Sequence, residues 1–227
     1  MEMDITLPNE VPVMTLLNTA LFPQALMPLH IYEPRYREML RDVLASNRLF
    51  AVAGLDLKQA VDPGCFEPPH RIATVGIVRA CQKKENGTSN LLLQGLCRVG
   101  IVMIAADEPY RKIRIEALAS EAGASRSENQ ALRVELARLI GLKLKLAASG
   151  GREMAEFLKT IEDPEMFVDI AAFSVCDDAR LKQKLLETLD VHRRLELLRG
   201  RLQSDIEDLK LRRRLQGCLP DDRIPHN

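Results

Sequence analysis

His30 is the first side chain in this sequence to raise a chemical question. It lies in an apolar run, Leu26 to Tyr32, directly before Glu33. As a general base or metal ligand it would need a carboxylate or cysteine held beside it. The other reading is a hydrogen-bonded structural histidine at a strand end. His192, next to Arg193 and Arg194 near an expected helix start, reads as solvated. Cys65, Cys81, Cys97, Cys176 and Cys218 are odd in number and form no C-x-x-C pair. Cys81, Cys97 and Cys176 sit in apolar runs, where a free thiol behaves as a small buried hydrophobe. A structural zinc site needs paired ligands at close spacing, and none is present. No G-x-S-x-G turn advertises a serine nucleophile, and no Gly-Lys step could belong to a phosphate-binding loop. The expectation is a chain with no catalytic residue, no metal site and no cofactor.

Recognition is better served. Glu33, Arg35 and Arg37 surround Tyr36, forming either a contact patch or a solvated helix face with Glu33 at the positive end of the dipole. Arg98 follows a strand and is open between a core-edge hydrogen-bond donor and a binding group. The connection Asn18 to Met27 gathers Leu21, Phe22, Leu26 and Met27 around Pro23. Connections cross the surface as a rule, so these residues either plug the core or present an apolar patch to a partner. Candidate partner-binding residues are therefore Leu21, Phe22, Pro23, Leu26, Met27, His30, Tyr32, Arg35 and Arg98.

The elements holding these residues can be read from periodicity. Apolar residues run to Leu17, a turn holds Asn18 and Pro23, and a second run leads to Glu33-Pro34. Proline suits the first helical position because its missing N–H would be unpaired there anyway. Tyr36, Met39, Leu40, Val43 and Leu44 then share one helical face, and Asn47 is a left-handed stop. Strands are expected over 48–55, 71–83, 91–96, 98–105 and 110–118, with Gly76 marking a bulge or close approach. Asn86-Gly87 is a hairpin signal whose two turn positions would both take positive φ. Asp62-Pro63-Gly64 marks a loop.

Beyond residue 120 the texture becomes helical. Ser127 and Gln130 suggest a capping box for a helix through Leu132, Leu136, Leu139, Ile140 and Leu144, ended by Ser149-Gly150-Gly151. A shorter helix covers Arg152 to Ile161. Asp163-Pro164 and Asp178 cap two more, with Phe167, Ile170, Ala171 and Ser174 on one face of the first and Leu181 and Leu185 on the second. Leu195, Leu198, Leu202, Ile206 and Leu209 mark the longest helix. The expected fold class is α+β: a small β-barrel over 8–120, a helical bundle over 121–216 and a flexible tail over 217–227.

Composition fits a globular chain, with 46% hydrophobic and 28% charged residues, and 32 acidic against 32 basic side chains. Balanced charge gives no global field toward nucleic acid or membrane. The acidic N-terminus lacks a secretory signal pattern and no apolar run is long enough to span a bilayer, so a soluble cytoplasmic protein is expected. From Ala179 to Leu215 there are eleven Lys/Arg against six Asp/Glu, ending in Lys210, Arg212, Arg213 and Arg214. That cluster either complements a helix dipole or contacts an acidic partner such as RNA. Aromatic residues make up only 4%, giving few platforms for stacked bases.

Three blocks, in order, resemble the N-terminal substrate-binding domain of the Lon protease family. They are LFPQALMPLHIYEPRYREML, then ATVGIVRACQKKENGTSNLLLQGLCRVGIV with its G-x-x-R step from Gly95 to Arg98, then DIAAFSVCDDARLKQKLLETLDVHRRLELL. The resemblance covers about Val11 to Leu211 and implies a PUA-like barrel followed by a helical bundle. It also implies recruitment of polypeptide substrates. Without a P-loop, and with no room for a serine–lysine module after residue 215, ATPase and protease activity are not expected of this polypeptide alone. The expected function is non-enzymatic binding of polypeptides or protein partners, as an adaptor in protein quality control. The alternative is a PUA-like RNA-associated protein.

Overall fold

The computed structural model describes residues 7–60, 67–147 and 151–217. The Asp62-Pro63-Gly64 loop, Cys65, the Ser149-Gly150 stop, Cys218 and the expected tail beyond Gly217, which itself ends a helix, lie outside the described residues. Two compact units emerge. The first contains the chain up to Glu121 together with Asp169–Leu189; the second contains Ala122–Val168 and the chain from Asp190. This differs from a single cut near residue 120, because Asp169–Leu189 belongs with the strands.

In the first unit, β1 (Glu10–Leu16), β2 (Leu26–Ile31), β3 (Leu49–Gly54), β4 (Ile72–Lys83), β5 (Ser89–Ala106) and β6 (Lys112–Ala117) form one sheet. Its order is β2-β5-β4-β3-β1-β6, and a further β5–β6 pairing closes the ring. Only β1 and β3 pair in parallel. Val11, Val13, Ala51, Ala53, Ala73, Val75, Val99 and Ile113 fill the interior, the alternate positions that a pleated strand turns inward. Closure removes most of the free edge that an open sheet would expose.

The expected strands at 91–96 and 98–105 are one strand, β5, long enough to serve two sets of neighbours. Ser89–Gln94 runs between β4 and β2, while Val99–Gly100 runs between β4 and β6. Bulges interrupt the β4–β5 ladder at Val75/Gly76 and the β5–β6 ladder at Ile101/Met103 and Ile104/Ala106. Gly76 sits at the first of these, where a Cβ would stand 2.7 Å from Leu93 Cγ. At the β4–β5 hairpin only Gly87 takes positive φ, at 78°. Lys84 N–H donates to the Thr88 carbonyl at 2.8 Å, enclosing a three-residue loop in place of the expected two-residue turn.

The helix α1 (Pro34–Ala45) buries Tyr36, Met39, Leu40 and Val43, with Leu44 half-buried. Its left-handed stop is Arg48 (φ 64°), not Asn47, whose Oδ1 instead accepts from Leu49 N–H at 3.0 Å. Glu33 occupies the N-cap position without a side-chain capping bond. Also in this unit are the second half of α4 (Pro164–Val175) and α5 (Ala179–Glu187). The Asp178 carboxylate caps α5 by accepting from Arg180 and Leu181 N–H, and Gln183 Nε2 donates to the Ile72 carbonyl of β4. Of the expected α4 face, Phe167, Ile170 and Ala171 are buried, but Ser174 is exposed.

In the second unit α2 (Arg126–Ala147) runs along α6 (Val191–Gly217) and also meets α3 (Arg152–Thr160). Leu132, Leu136 and Ile140 of α2 are buried, as are Leu195, Leu198, Leu202 and Ile206 of α6. Lys143 Nζ and Asp205 Oδ2 tie the pair at 2.8 Å. The capping box is Ser125/Glu128, two residues earlier than expected. Glu128 N–H donates to Ser125 Oγ at 3.3 Å, and Ser125 N–H returns a bond to Glu128 Oε2 at 3.0 Å.

The hydroxyl and backbone N–H of Ser125 hold the Glu128 carboxyl below its ordinary value. Glu128 therefore contributes stability that is present above the unfolded carboxylate value and is lost as pH falls through the lowered one. Ser125→Ala is expected to lower the thermal midpoint at neutral pH. Circular-dichroism melts across pH should show that deficit narrowing in acid.

Candidate functional site

The Asn18–Met27 connection plugs the barrel unit. Leu21, Phe22, Ala25 and Met27 are buried, so Leu21, Phe22 and Met27 are removed from the expected partner surface. The backbone explains why. Gln24 turns at φ 63° and donates to the Gly95 carbonyl at 2.9 Å, while Gly95 N–H donates to the Ala25 carbonyl at 2.9 Å. The buried Thr74 hydroxyl donates to the Leu21 carbonyl at 2.6 Å. Burying the apolar side chains and pairing the backbone satisfy the connection on its own side of the barrel. Pro23 is half-buried, and only Leu26 of the plug's large apolar residues is exposed.

Arg98 is also a structural residue. Its guanidinium makes a bidentate pair with Asp169, at 2.7 and 2.6 Å, and Nε donates to the Leu186 carbonyl at 3.1 Å. The two side chains are 2% and 1% exposed, so no ligand can reach them without unfolding. The guanidinium also lies 5.9 Å from the Phe22 ring centroid. Thus the G-x-x-R step packs a plug against glycine and locks a helix through arginine.

His30 is exposed, with Nδ1 2.7 Å from Asn90 Oδ1 and its ring stacked on Tyr32 at 6.0 Å. It is a hydrogen-bonded strand residue beside an amide. His192, expected to be solvated, is half-buried and contacts Asn129 Oδ1 at 2.8 Å. Burial pushes the Cys97 thiol above its ordinary value. Among the described residues no group of three His, Cys, Asp or Glu could hold a metal ion. No described helix is long and apolar enough to cross a membrane.

A groove of about 1080 Å³ does open on the barrel unit. One wall is the start of α1, another is Glu67, Pro68, Pro69 and Arg71 ahead of β4, and the floor includes Ile101–Ile104 of β5. Arg35 forms the α1 wall. Its Nη2 meets Glu33 Oε2 and Glu67 Oε1, each at 2.9 Å, and its guanidinium lies 4.6 Å from the Tyr36 ring centroid. The hydrogen bond to Glu67 pushes Arg35 further above its ordinary value, against a smaller opposing effect of burial. Arg35 is therefore a neutralised brace, not the free cation of an expected contact patch. Arg111 holds the opposite side, with Nε 2.7 Å from Asp107 Oδ1 and Nη1 2.5 Å from the Glu67 carbonyl.

The floor is apolar and open. Val102 is 57% exposed, Met103 48% and Ile104 40%. Such residues belong to a strand yet turn a continuous apolar run to solvent, the kind of surface that marks a contact site. Sequence periodicity places them in a strand and does not mark them for recognition. The available signal was the unbroken run Ile101–Ala106, which lacks the polar alternation of a half-solvated strand. The groove thus combines an apolar floor with walls braced by the ion pairs of Arg35 and Arg111, which suits binding of a chain segment better than acid–base or metal chemistry.

The family model of the ATP-dependent protease La (LON) substrate-binding domain matches residues 10–204, and the chain belongs to that family. The Lon protease of Syntrophus aciditrophicus is 30% identical over 218 residues, covering 95% of this chain and 28% of that protein. The Lon protease of Dictyoglomus thermophilum is 27% identical over 211 residues, covering 93% and 26%. The chain thus spans about a quarter of the length of these curated relatives. Among solved structures, the N-terminal domain of Mycobacterium avium complex Lon protease superposes with a TM-score of 0.67 at 18% identity, covering 86% of this chain and 98% of that one. A Lon N-terminal domain protein from Xanthomonas campestris gives 0.61 at 19%, covering 84% and 97%. The α+β fold expected from the sequence is that of these domains.

Proposed function

We propose that this chain is a non-enzymatic binding module that captures extended or unfolded polypeptide through the groove on its barrel unit, serving as an adaptor in cytoplasmic protein quality control. The observation that carries this reading is the exposed run Val102–Met103–Ile104 on the groove floor. Unfolded segments expose apolar side chains, and covering them releases about 25 cal/mol per Å² before ordering costs. Membership of a substrate-binding domain family supports the same reading. Leu26, His30 and Tyr32, the exposed members of the candidate set expected from sequence, remain as a secondary patch on and beside β2.

Fluorescence anisotropy with a labelled, carboxymethylated unfolded polypeptide tests this. Met103→Asp is expected to weaken binding about tenfold, the effect of one buried apolar side chain, with an unchanged thermal midpoint. Loss on Leu26→Ser with Tyr32→Ala, and not on Met103→Asp, would move recognition to the β2 patch. The RNA alternative draws on Lys210, Arg212 and Arg214, which are exposed near the end of α6. Arg213 donates to the Lys145 carbonyl at 3.3 Å, and a helix C-terminus favours cations in any case. RNA affinity that falls steeply with salt, and disappears on charge reversal at Arg212 to Arg214, would replace the polypeptide reading.

A further inference from the structure

β5 changes neighbours along its length, and among the described residues the change leaves one edge unpaired. Up to Gly100 it pairs with β4, whose first residue Ile72 lies opposite Gly100. Ile101 N–H still donates to the Arg71 carbonyl, at 2.7 Å. There the chain preceding β4 turns away: His70 N–H donates to the Gly54 carbonyl and Pro69 bridges to Leu55. From Val102 to Ala106, only β6 pairs with β5 among the described residues. The vacated edge faces the groove, since Val102, Met103 and Ile104 line it. Proteins usually protect such an edge with charge, proline or cover; here the strand residues are valine, methionine, isoleucine and alanine.

The charges at the two ends of this edge differ in sign. Within the groove Arg35 is taken by Glu33 and Glu67, and Arg111 by Asp107. Arg71, opposite Ile101, and Glu108, just past Ala106, line the groove with no side-chain partner among the described residues. Among the described residues, then, a cation without a side-chain partner stands at one end of the edge and a carboxylate without one at the other. Five residue steps from Ile101 to Ala106 span about 17 Å.

We infer that the groove binds its polypeptide by strand addition. An extended segment of about six residues continues the line of β4 and runs antiparallel to β5. Its backbone takes the vacant ladder positions, its apolar side chains cover Val102–Ile104, and an acidic residue at its C-terminal end meets Arg71 while a basic residue at its N-terminal end meets Glu108. Antiparallel is the sense of all three existing β5 pairings, and it is the more stable ladder per residue. This inference rests on the proposed polypeptide-binding function and adds its geometry and charge preference.

The probe is the capped peptide acetyl-Lys-Val-Thr-Val-Thr-Val-Glu-amide, with two derivatives N-methylated at alternate positions in opposite phase. Alternate N–H groups of an added strand point to its neighbour and away from it. One derivative should therefore lose about tenfold or more in affinity for the full chain, through its missing backbone bonds, and the other should bind like the parent. Equal effects of the two derivatives, in either direction, overturn strand addition while leaving polypeptide binding intact. Failure of both the parent peptide and the carboxymethylated polypeptide to bind overturns the functional reading itself.

A double charge swap, Arg71→Glu with Glu108→Lys, tests orientation at exposed positions. It should switch preference, about threefold, to the peptide with its end charges exchanged. An unchanged preference rejects the assigned direction.

Discussion

Asp169→Ala is expected to destabilise the barrel unit by about 3–5 kcal/mol. The carboxylate is 1% exposed and accepts both terminal nitrogens of Arg98, itself 2% exposed. Truncating it leaves a guanidinium in the interior without its counter-ion, and that desolvation penalty exceeds the value of the pair itself. A folded protein has only about 5–15 kcal/mol in total, so expression and solubility should fall as well. Arg98→Lys should destabilise as well, because an ammonium cannot reproduce the planar two-point contact. The double replacement Arg98→Met, Asp169→Leu is expected to recover much of the loss by removing both charges together. Urea denaturation of Arg98→Met, Asp169→Leu and their double variant measures the coupling directly. Additive losses would mean that the buried pair is not the lock described above.

Gly95→Ala is the second large effect. A Cβ at Gly95 would meet the Phe22 carbonyl oxygen at a separation no real pair of atoms adopts, and that oxygen is backbone. It cannot swing aside as a flexible side chain can, because Gln24 and Ala25 are tied to Gly95 by backbone bonds at 2.9 Å on both sides. Accommodating the methyl group must break those bonds or displace the buried Phe22. The expected cost is about 3 kcal/mol, combining overpacking with lost ladder bonds. Gly141→Ala is the control: its Cβ would meet nothing within 4 Å, and it lies inside α2. There alanine should stabilise by about 0.5–1 kcal/mol. Thermal melts that rank the two variants the other way would contradict the packing of the plug.

Local signals were legible and long-range ones were not. The face of α1, the Asp178 cap and the apolar stripe of α6 follow from spacing alone, since each is settled within a few turns of helix. The capping box illustrates the margin of error. Ser125-x-x-Glu128 and Ser127-x-x-Gln130 both satisfy the motif, and the choice depends on which hydroxyl reaches a free N–H. Phe22 was open between plug and patch because its fate depends on Gly95, far along the chain, offering a surface without side chain. Arg98 was equally open, its partner being 71 residues away. The groove was illegible for a related reason. Which edge of β5 stays unpaired is decided by where β4 departs and β6 arrives, a property of barrel closure that periodicity in one strand does not contain.

Amide hydrogen exchange of the full chain, with and without saturating carboxymethylated polypeptide, shows whether the groove on β5 takes up polypeptide. New protection is expected at Val102–Ala106, with the already paired amides of β3 and the α6 basic end unchanged. Protection confined to β2 or to Lys210–Arg214, with Val102–Ala106 exchanging as in the free chain, would contradict that uptake.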